Sequence, residues 1–533
     1  MKNGKTVVPG PRALSGAITG VCAPYQDTPE RAKTRSGPAA SVPVYSVRLS
    51  SLVRLLPLLS VPFTPVSFPP QPLSCLMTAA ARFSFPCPRL PRSLRAARNR
   101  LLPAPPFPVP EDIRHGLPAT PSSKTGPPPV PLKKTGRKNI MDNFTFYSPT
   151  RFFFGRGEEN HAGDRIRRLG GTKVLIHYGA VSAVKSGLIY RVTSSLERAG
   201  IASVPLGGVR PNPRSGRVRE GIELCRKEKV DFILAVGGGS VIDSAKAIAL
   251  GVPYQGDFWD FFEGKAFPAS ALPVGVVLTV AAAGSEASPV TVITREDGMF
   301  KRPYSSDQIR PVFSILNPEL TTSLPPLPTA GGATDIMSHV LERYFTNTQD
   351  VELTDRLCES VLLTVKNELP LVLKHPDHYG HRANLMWAGT LAHNDTCGVG
   401  REQDWASHAL AHELSAFYDA PHGATLAVIF PAWMEYVMDH DINRFAQLAV
   451  RVWGCDMDFN HPDVTARKGI RAFRSFLKMV GMPTDFAGIR AREDDIPQLL
   501  DQLQIGRSTI GSFVKLDRND CEKIYRLACR PAA

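Results

Sequence analysis

The chain has 533 residues, a formal net charge of +14 and 43% apolar residues, enough for more than one domain with a sizeable core. Residues 1–140 hold 20 basic and 4 acidic side chains, which leaves 43 basic and 45 acidic over the remaining 393. That near-balance excludes an electrostatic reason for the body to seek nucleic acid. The nine scattered cysteines, with no C-x-x-C pair, exclude a disulfide framework and a thiolate zinc site and indicate a cytoplasmic chain.

Residues 1–140 also carry 26 of the 48 prolines, in runs such as PAPPFPVP (103–110) and PPPVP (127–131). Proline at this density removes backbone donors and breaks helices, so a packed core is not expected there. SLVRLLPLLSVPF (51–63) is too short and interrupted to span a bilayer, and no membrane partner is expected. The Arg-rich, acid-poor character resembles a transit peptide, but the stretch is long and shows no clear amphipathic helix. The preferred reading is a disordered or spurious extension, with translation starting at Met141.

From Met141 the chain alternates strand and helix. KVLIHY (173–178) reads as a buried strand and GLIYRVTSSLERAG (187–200) as an amphipathic helix. VDFILAVGGGSVIDSAKAIAL (230–250) gives an apolar strand, a glycine turn and a helix, and VGVVLTV (274–280), VTVIT (290–294) and VFSIL (312–316) are further apolar runs. Strands buried on both faces with helices between them predict a mostly parallel, Rossmann-like α/β sheet. After the LPPLP at 324–328 the pattern is helical almost to the end. The expected domains are therefore an α/β dinucleotide-binding part over 141–328 and an all-helical metal-binding part over 329–533.

Two loops in the α/β half suit a phosphate. In Gly237-Gly238-Gly239-Ser240, glycine admits close backbone approach and the following helix offers free N–H groups at its positive end. Asp243, one turn in, is placed to cap the helix or to reach a ribose hydroxyl. Thr279 through Ala283-Gly284-Ser285-Glu286 is a second small-residue turn after a strand, where an open α/β sheet binds nucleotides. The turn is neither G-x-G-x-x-G nor a Walker loop, so alone it equally describes a tight connection without a ligand.

The helical half supplies metal-type donors. Asp335 and His339 lie four apart in GGATDIMSHVLERYF, whose Ala333, Ile336, Val340 and Tyr344 keep helical spacing. His408 and His412 are likewise four apart in DWASHALAHELSAFYDAPHGATLAVIFP, and His422 follows a short break. A single one of these histidines is better read as a surface or core residue. A carboxylate with two or three imidazoles suits Zn²⁺ or Fe²⁺ rather than Ca²⁺.

FYSPTRFFFGRG (146–157), PNP (211–213), FILAVGGGSVIDSAK (232–246), GSE (284–286), RPVFSILNPELTTSLPP (310–326), MWAGT (386–390) and DWASHALAHELSA (404–416) together resemble the iron-containing (group III) alcohol dehydrogenases. The similarity is greatest to the NADPH-dependent butanol dehydrogenase and aldehyde reductase branch, and it covers the body from Met141 onward. The resemblance implies a metal-dependent transfer of hydride between NAD(P)H and a primary alcohol or aldehyde, with the metal polarising the substrate oxygen. It further implies one divalent ion, Fe²⁺ or Zn²⁺, on Asp335, His339, His408 and His422. The family's fourteen-residue ligand spacing selects His408 and leaves His412 as a non-ligating, proton-relaying group with an unperturbed pKa near 6.5. Cofactor contacts fall on Gly237, Gly238, Gly239, Ser240, Asp243, Thr279, Ser285 and Lys301. A homodimer is implied as well.

Two departures bear on the cofactor. Gly179-Ala180-Val181-Ser182 has bulkier residues where that branch carries glycine, while Ser182 and Lys185 remain able to bind a 2′-phosphate, so NADP(H) is expected over NAD(H). Ala281-Ala282-Ala283-Gly284 lacks the Pro and Thr of relatives. The competing readings are a polyol or phosphate-alcohol dehydrogenase of the same fold, a metal-dependent hydrolase and a non-catalytic scaffold. The hydrolase leaves the glycine turn unexplained, and the H-E-x-x-H order is absent.

Overall fold

The computed structural model describes residues 140–179 and 182–530. The expectations for residues 1–139, and for Ala180 and Val181, lie outside the described residues. In chain order the first half runs β1 (Arg151–Phe154), α1 (Ala162–Arg168), β2 (Lys173–Gly179), α2 (Ser182–Lys185), α3 (Leu188–Arg198), β3 (Ala202–Val209) and α4 (Ser215–Glu228). It continues through β4 (Phe232–Gly237), α5 (Gly239–Gly251), α6 (Trp259–Phe262), β5 (Val274–Leu278), β6 (Val290–Arg295), β7 (Phe300–Ser305) and β8 (Phe313–Leu316).

Six of these strands form one sheet in the order β1-β8-β5-β4-β2-β3, with every pairing parallel. β4 and β5 are buried along their whole length, as continuous apolar strands between two helical layers must be. Leu188, Val192 and Leu196 of α3 cover one face, against Val174, Ile176 and Leu234. Val218 and Ile222 of α4, with Ile242 and Ile248 of α5, cover the other, against Leu175, Ile233 and Val276. The chain leaves β2 outward to β3 and then returns across it to β4. The crevice at the C-terminal ends of β2 and β4 is therefore the topological switch point, the place where such a sheet takes its ligand.

Two strands differ from the sequence expectation. The run 290–294 does not join the parallel sheet; it pairs antiparallel with β7 in a separate hairpin. Its turn carries Gly298 at φ 79°, a left-handed backbone that glycine adopts without a Cβ penalty. An apolar run states that a strand is buried, not which strand it meets. β3, with Pro205, Gly207 and Gly208, has no clean apolar signature; it is tolerated because it forms the sheet edge and pairs on one side only.

The second half is helical: α7 (Pro326–Tyr344), α8 (Glu352–Lys374), α9 (Tyr379–His393), α10 (Ala406–Tyr418), α11 (His422–Val437), α12 (Ile442–Arg451), α13 (Pro462–Met479), α14 (Ile496–Gln502) and α15 (Arg518–Cys529). α7 starts on prolines, whose fixed φ suits a first turn. All but a few of its residues are buried, around a core that includes Phe345, Phe430 and Trp433. Arg444 of α12 donates to the Tyr344 carbonyl, satisfying an orphan acceptor at the end of α7, and also pairs with the buried Asp355. Among the described residues, no helix is long and apolar enough to cross a membrane.

Candidate active site

A cleft of about 1120 Å³ runs from the switch point of the sheet to the inner ends of α7, α10 and α11. The residues singled out in the sequence for cofactor or metal border it, Lys185 excepted: Ser182, Gly237, Gly238, Gly239, Ser240, Asp243, Thr279, Ser285 and Lys301 at one end, and Asp335, His339, His408, His412 and His422 at the other.

The glycine turn is built for close approach. A Cβ on Gly237 would lie 2.5 Å from the Val241 side chain, and one on Gly238 would lie 3.0 Å from that of Val280. α5 begins at Gly239 with no side-chain cap, and Gly239 and Ser240 of its first turn border the cleft, a helix start open to an anion. Asp243 does not cap this helix. Its carboxylate accepts from the Ser285 hydroxyl at 2.6 Å and from the Val292 N–H at 3.1 Å, and so ties the helix to the second loop and the hairpin. That loop is held further by Lys246, fully buried on α5, whose Nζ donates to the carbonyls of Ser285, Ser288 and Val290 at 2.6, 2.9 and 2.9 Å. Lys301 of β7 donates to Asn212 Oδ1 at 3.0 Å. Asn212 sits in a left-handed conformation, φ 54°, and donates on to the Ala420 carbonyl, so the PNP turn links Lys301 to the α10–α11 connection.

At the other end, Asp335 Oδ1 lies 3.3 Å from His339 Nε2 and 3.9 Å from both His408 Nε2 and His422 Nε2. Helical spacing stacks Asp335 and His339 on one face of α7, and α10 presents His408 from its first turn. His422 arrives because α11 starts hard against α7: a Cβ on Gly423 would overlap the Gly331 carbonyl oxygen. Asp335 Oδ1 and His408 Nε2 are buried with no hydrogen-bond partner. Such atoms are costly unless something completes them. Asp335, His339 and His408 each bring one donor atom within 4.8 Å of the others, a grouping that can hold a divalent ion, and His422 Nε2 flanks it at 3.9 Å from Asp335 Oδ1.

Burial alone would raise the Asp335 carboxyl, but the imidazoles of His339, His408 and His422 hold it well below the ordinary carboxylate range. Burial depresses His339 to about 4 against the pull of Asp335. His408 moves the other way: burial lowers it, but the attraction of the Asp335 carboxylate and the hydrogen bond to Glu342 together raise it. His412 is also displaced from the ordinary histidine range expected of it. Burial and then the nearby Lys301 hold it well below, so its imidazole is neutral. The same two causes depress His422.

Four further residues shape the site. Besides Lys246 and Asn212, Glu342 is fully buried and accepts from His408 Nδ1 at 2.7 Å, His408 N–H at 2.9 Å and Trp405 N–H at 2.8 Å. It fixes the His408 tautomer so that Nε2 faces Asp335, the role carboxylates play behind metal-bound imidazoles. Spacing could have found Glu342, seven residues after Asp335 on one helix face, and Lys246, three after Asp243. His393, whose ring lies 4.2 Å from that of His339, gives no local signal.

A parallel sheet with glycine-lined loops at its switch point, joined across one cleft to a helical cluster of Asp335 and three histidines, is the arrangement of a dinucleotide-type α/β fold beside a candidate metal site. The comparisons narrow this. Residues 149–318 match iron-containing alcohol dehydrogenase, and residues 329–529 match the C-terminal part of the Fe-containing alcohol dehydrogenase family. The chain is 41% identical over 388 residues to a probable NADH-dependent butanol dehydrogenase of Bacillus subtilis, covering 72% of this chain and 99% of that protein. It is 37% identical over 393 residues to the NADPH-dependent aldehyde reductase YqhD of Escherichia coli, covering 73% and 100%. The crystal structure of NADH-dependent butanol dehydrogenase A from Thermotoga maritima superposes with a TM-score of 0.71 at 39% identity, covering 74% of this chain and all of that one. The protein belongs to the iron-containing alcohol dehydrogenase family and is an NAD(P)-dependent oxidoreductase of alcohols and aldehydes.

Proposed function

We propose that the protein interconverts primary alcohols and aldehydes with NADP(H) in preference to NAD(H), on one Fe²⁺ or Zn²⁺ held by Asp335, His339, His408 and His422. The observation that carries this is the convergence of three histidine Nε2 atoms on the partnerless Asp335 Oδ1, at the far end of the cleft from the glycine turn. When bound, the ion supplies Lewis acidity to the substrate oxygen and the nicotinamide supplies or takes up the hydride.

The chain's own residues do the rest. Gly237, Gly238, Gly239 and Ser240 seat the pyrophosphate on the first turn of α5. Asp243, Ser285 and Thr279 fix the loops on either side, and Lys301 stands over the nicotinamide end of the cleft. His412, 5.0 Å from the His422 ring and neutral, passes a proton in at one nitrogen and out at the other. Ser182 and Lys185, both exposed on the short α2 just past β2, suit the 2′-phosphate of NADP(H).

We also propose a cytoplasmic homodimer without nucleic-acid or membrane partners. Among the described residues β1 has no strand on its outer side, and Phe154 of β1 and Trp387, which packs edge-on against it, are exposed there. Light scattering that gives a monomer would remove the dimer. The enzymatic reading is tested by following NADPH and NADH oxidation with butanal before and after chelation, then with Fe²⁺ or Zn²⁺ restored. Chelator-sensitive oxidation, faster with NADPH, is expected. Oxidation insensitive to a chelator that strips the metal would overturn the ion's role, and faster turnover with NADH would reverse the cofactor preference.

A further inference from the structure

Segment 285–290 borders the cofactor end of the cleft through Ser285, Ser288, Pro289 and Val290. It is irregular until it enters β6 at its last residue, so its carbonyl groups must find partners outside regular structure. Each of them does. Ser314 Oγ donates to the Glu286 carbonyl at 2.6 Å, Arg310 to that of Ala287 at 3.2 Å and the Ser306 N–H to that of Pro289 at 3.0 Å. The carbonyls of Ser285, Ser288 and Val290 all accept from one atom, Lys246 Nζ, at 2.6, 2.9 and 2.9 Å. None of these donors is among the described residues that border the cleft, so the carbonyls are held on the protein side of the segment.

Lys246 lies two turns into α5, the helix that the glycine turn opens, and it is fully buried. Burial lowers its ammonium to about 8 against the pull of Asp243 and Glu286, so near neutral pH it keeps three N–H bonds, one for each carbonyl. A methionine would occupy similar space without the cost of burying a charge, so packing alone does not call for a lysine. The electrostatic consequence lies in the cleft. Free carbonyl oxygens on its wall would repel a pyrophosphate, and those from Ser285 to Val290 are instead turned onto donors behind the wall. α5 therefore offers the anion its first turn and, through Lys246, shapes a segment that borders the same cleft.

We propose that Lys246 is a positioning residue for the nicotinamide cofactor, holding segment 285–290 in its binding shape before the cofactor arrives. That role rests on the cofactor site proposed above. Lys246 does not border the cleft, so it acts through the segment and not by touching cofactor, ion or substrate. A segment already fixed in the free protein loses little freedom on binding. One released from Lys246 must be ordered by the cofactor itself, and binding weakens by that ordering cost. The chemistry at the far end of the cleft is untouched.

The test measures Kd for NADPH and for NADH by nicotinamide fluorescence on the full metal-loaded chain, with no aldehyde present. In Lys246→Met both values should rise about tenfold or more, while metal content and kcat at saturating cofactor stay within about twofold. General loss of structure would instead lower metal content and kcat as well. Unchanged cofactor affinity in Lys246→Met, or a parallel loss of metal and kcat, would overturn the role of Lys246 and leave the cofactor site standing. Unaltered protein that binds neither NADPH nor NADH would overturn both. Hydrogen exchange on the unaltered, cofactor-free protein decides the matter where the variant does not fold. The amides of 285–292 should exchange far more slowly than in an unfolded chain, and exchange near that rate would show that nothing presets the segment.

Discussion

Replacing Glu342 with glutamine removes one charge and almost no volume, and so isolates what the buried carboxylate does. Oε1 accepts from two His408 donors, at 2.7 and 2.9 Å, and Oε2 accepts from Trp405 N–H at 2.8 Å. A glutamine keeps only one acceptor oxygen. Turned toward His408, it aims its amide N–H₂ at the Trp405 N–H, donor against donor; turned the other way, it does the same to His408. Leaving one such buried donor unsatisfied costs about 1–3 kcal/mol, and the surviving bonds lose their charge assistance. Trp405 is held at φ 71°, a left-handed conformation costing a bulky residue of order 1–3 kcal/mol, which the Glu342 bond helps maintain. The start of α10, and with it His408 Nε2, should therefore loosen. Metal affinity should drop about 10–100-fold, the range for residues behind metal-bound histidines. Competition with a chelator, read as metal content against free chelator concentration, measures this directly without an activity assay. An affinity within about twofold of the unaltered protein, together with an unchanged urea midpoint, would refute the assignment of Glu342 as the group that orients His408.

His408→Ala should lose bound metal and turnover together, whereas His412→Ala should retain the metal and slow the reaction; metal analysis with the opposite pattern would exchange their roles. Gly238→Val places a branched side chain where even a Cβ stands 3.0 Å from Val280, so the cofactor KM should rise at least about tenfold while metal content stays constant. An unchanged KM would remove the turn from the site. His177 lies buried between the Leu206 carbonyl and the Ser244 hydroxyl, and burial depresses it to about 4. The unfolded chain takes up this proton near pH 6.5 and the folded one only near 4, so stability is lost as pH falls through that window, by roughly 3 kcal/mol from this residue. Urea unfolding at pH 7 and pH 5 should show a steeper loss for the unaltered protein than for His177→Gln, and equal slopes would contradict the assignment.

Much of the fold is legible in the chain because its physical causes are local. Phe232–Gly237 is apolar throughout and ends in glycine, and no neighbour is needed to read a buried strand running into a glycine turn. The spacing of Asp335 and His339 places them on one helix face wherever α7 packs. Those local causes do not include partners. Val290–Arg295 reads as a strand in either sheet, and only its pairing with Phe300–Ser305 decides that it forms the hairpin bringing Lys301 to the cleft.

The sequence by itself determined the parallel α/β half, the helical half, the two small-residue loops that border the cleft and the donor types gathered around Asp335, since periodicity, glycine placement and residue chemistry act within a few residues. Tertiary structure alone decided that His422 meets Asp335, through the contact of Gly423 with Gly331. It likewise decided that Glu342 stands behind His408, that Asp243 binds the neighbouring loop rather than its own helix, and that His393 reaches the reacting end of the cleft. Each of these depends on how closely two helices or loops distant in the chain approach, and the volumes packed between them set that distance.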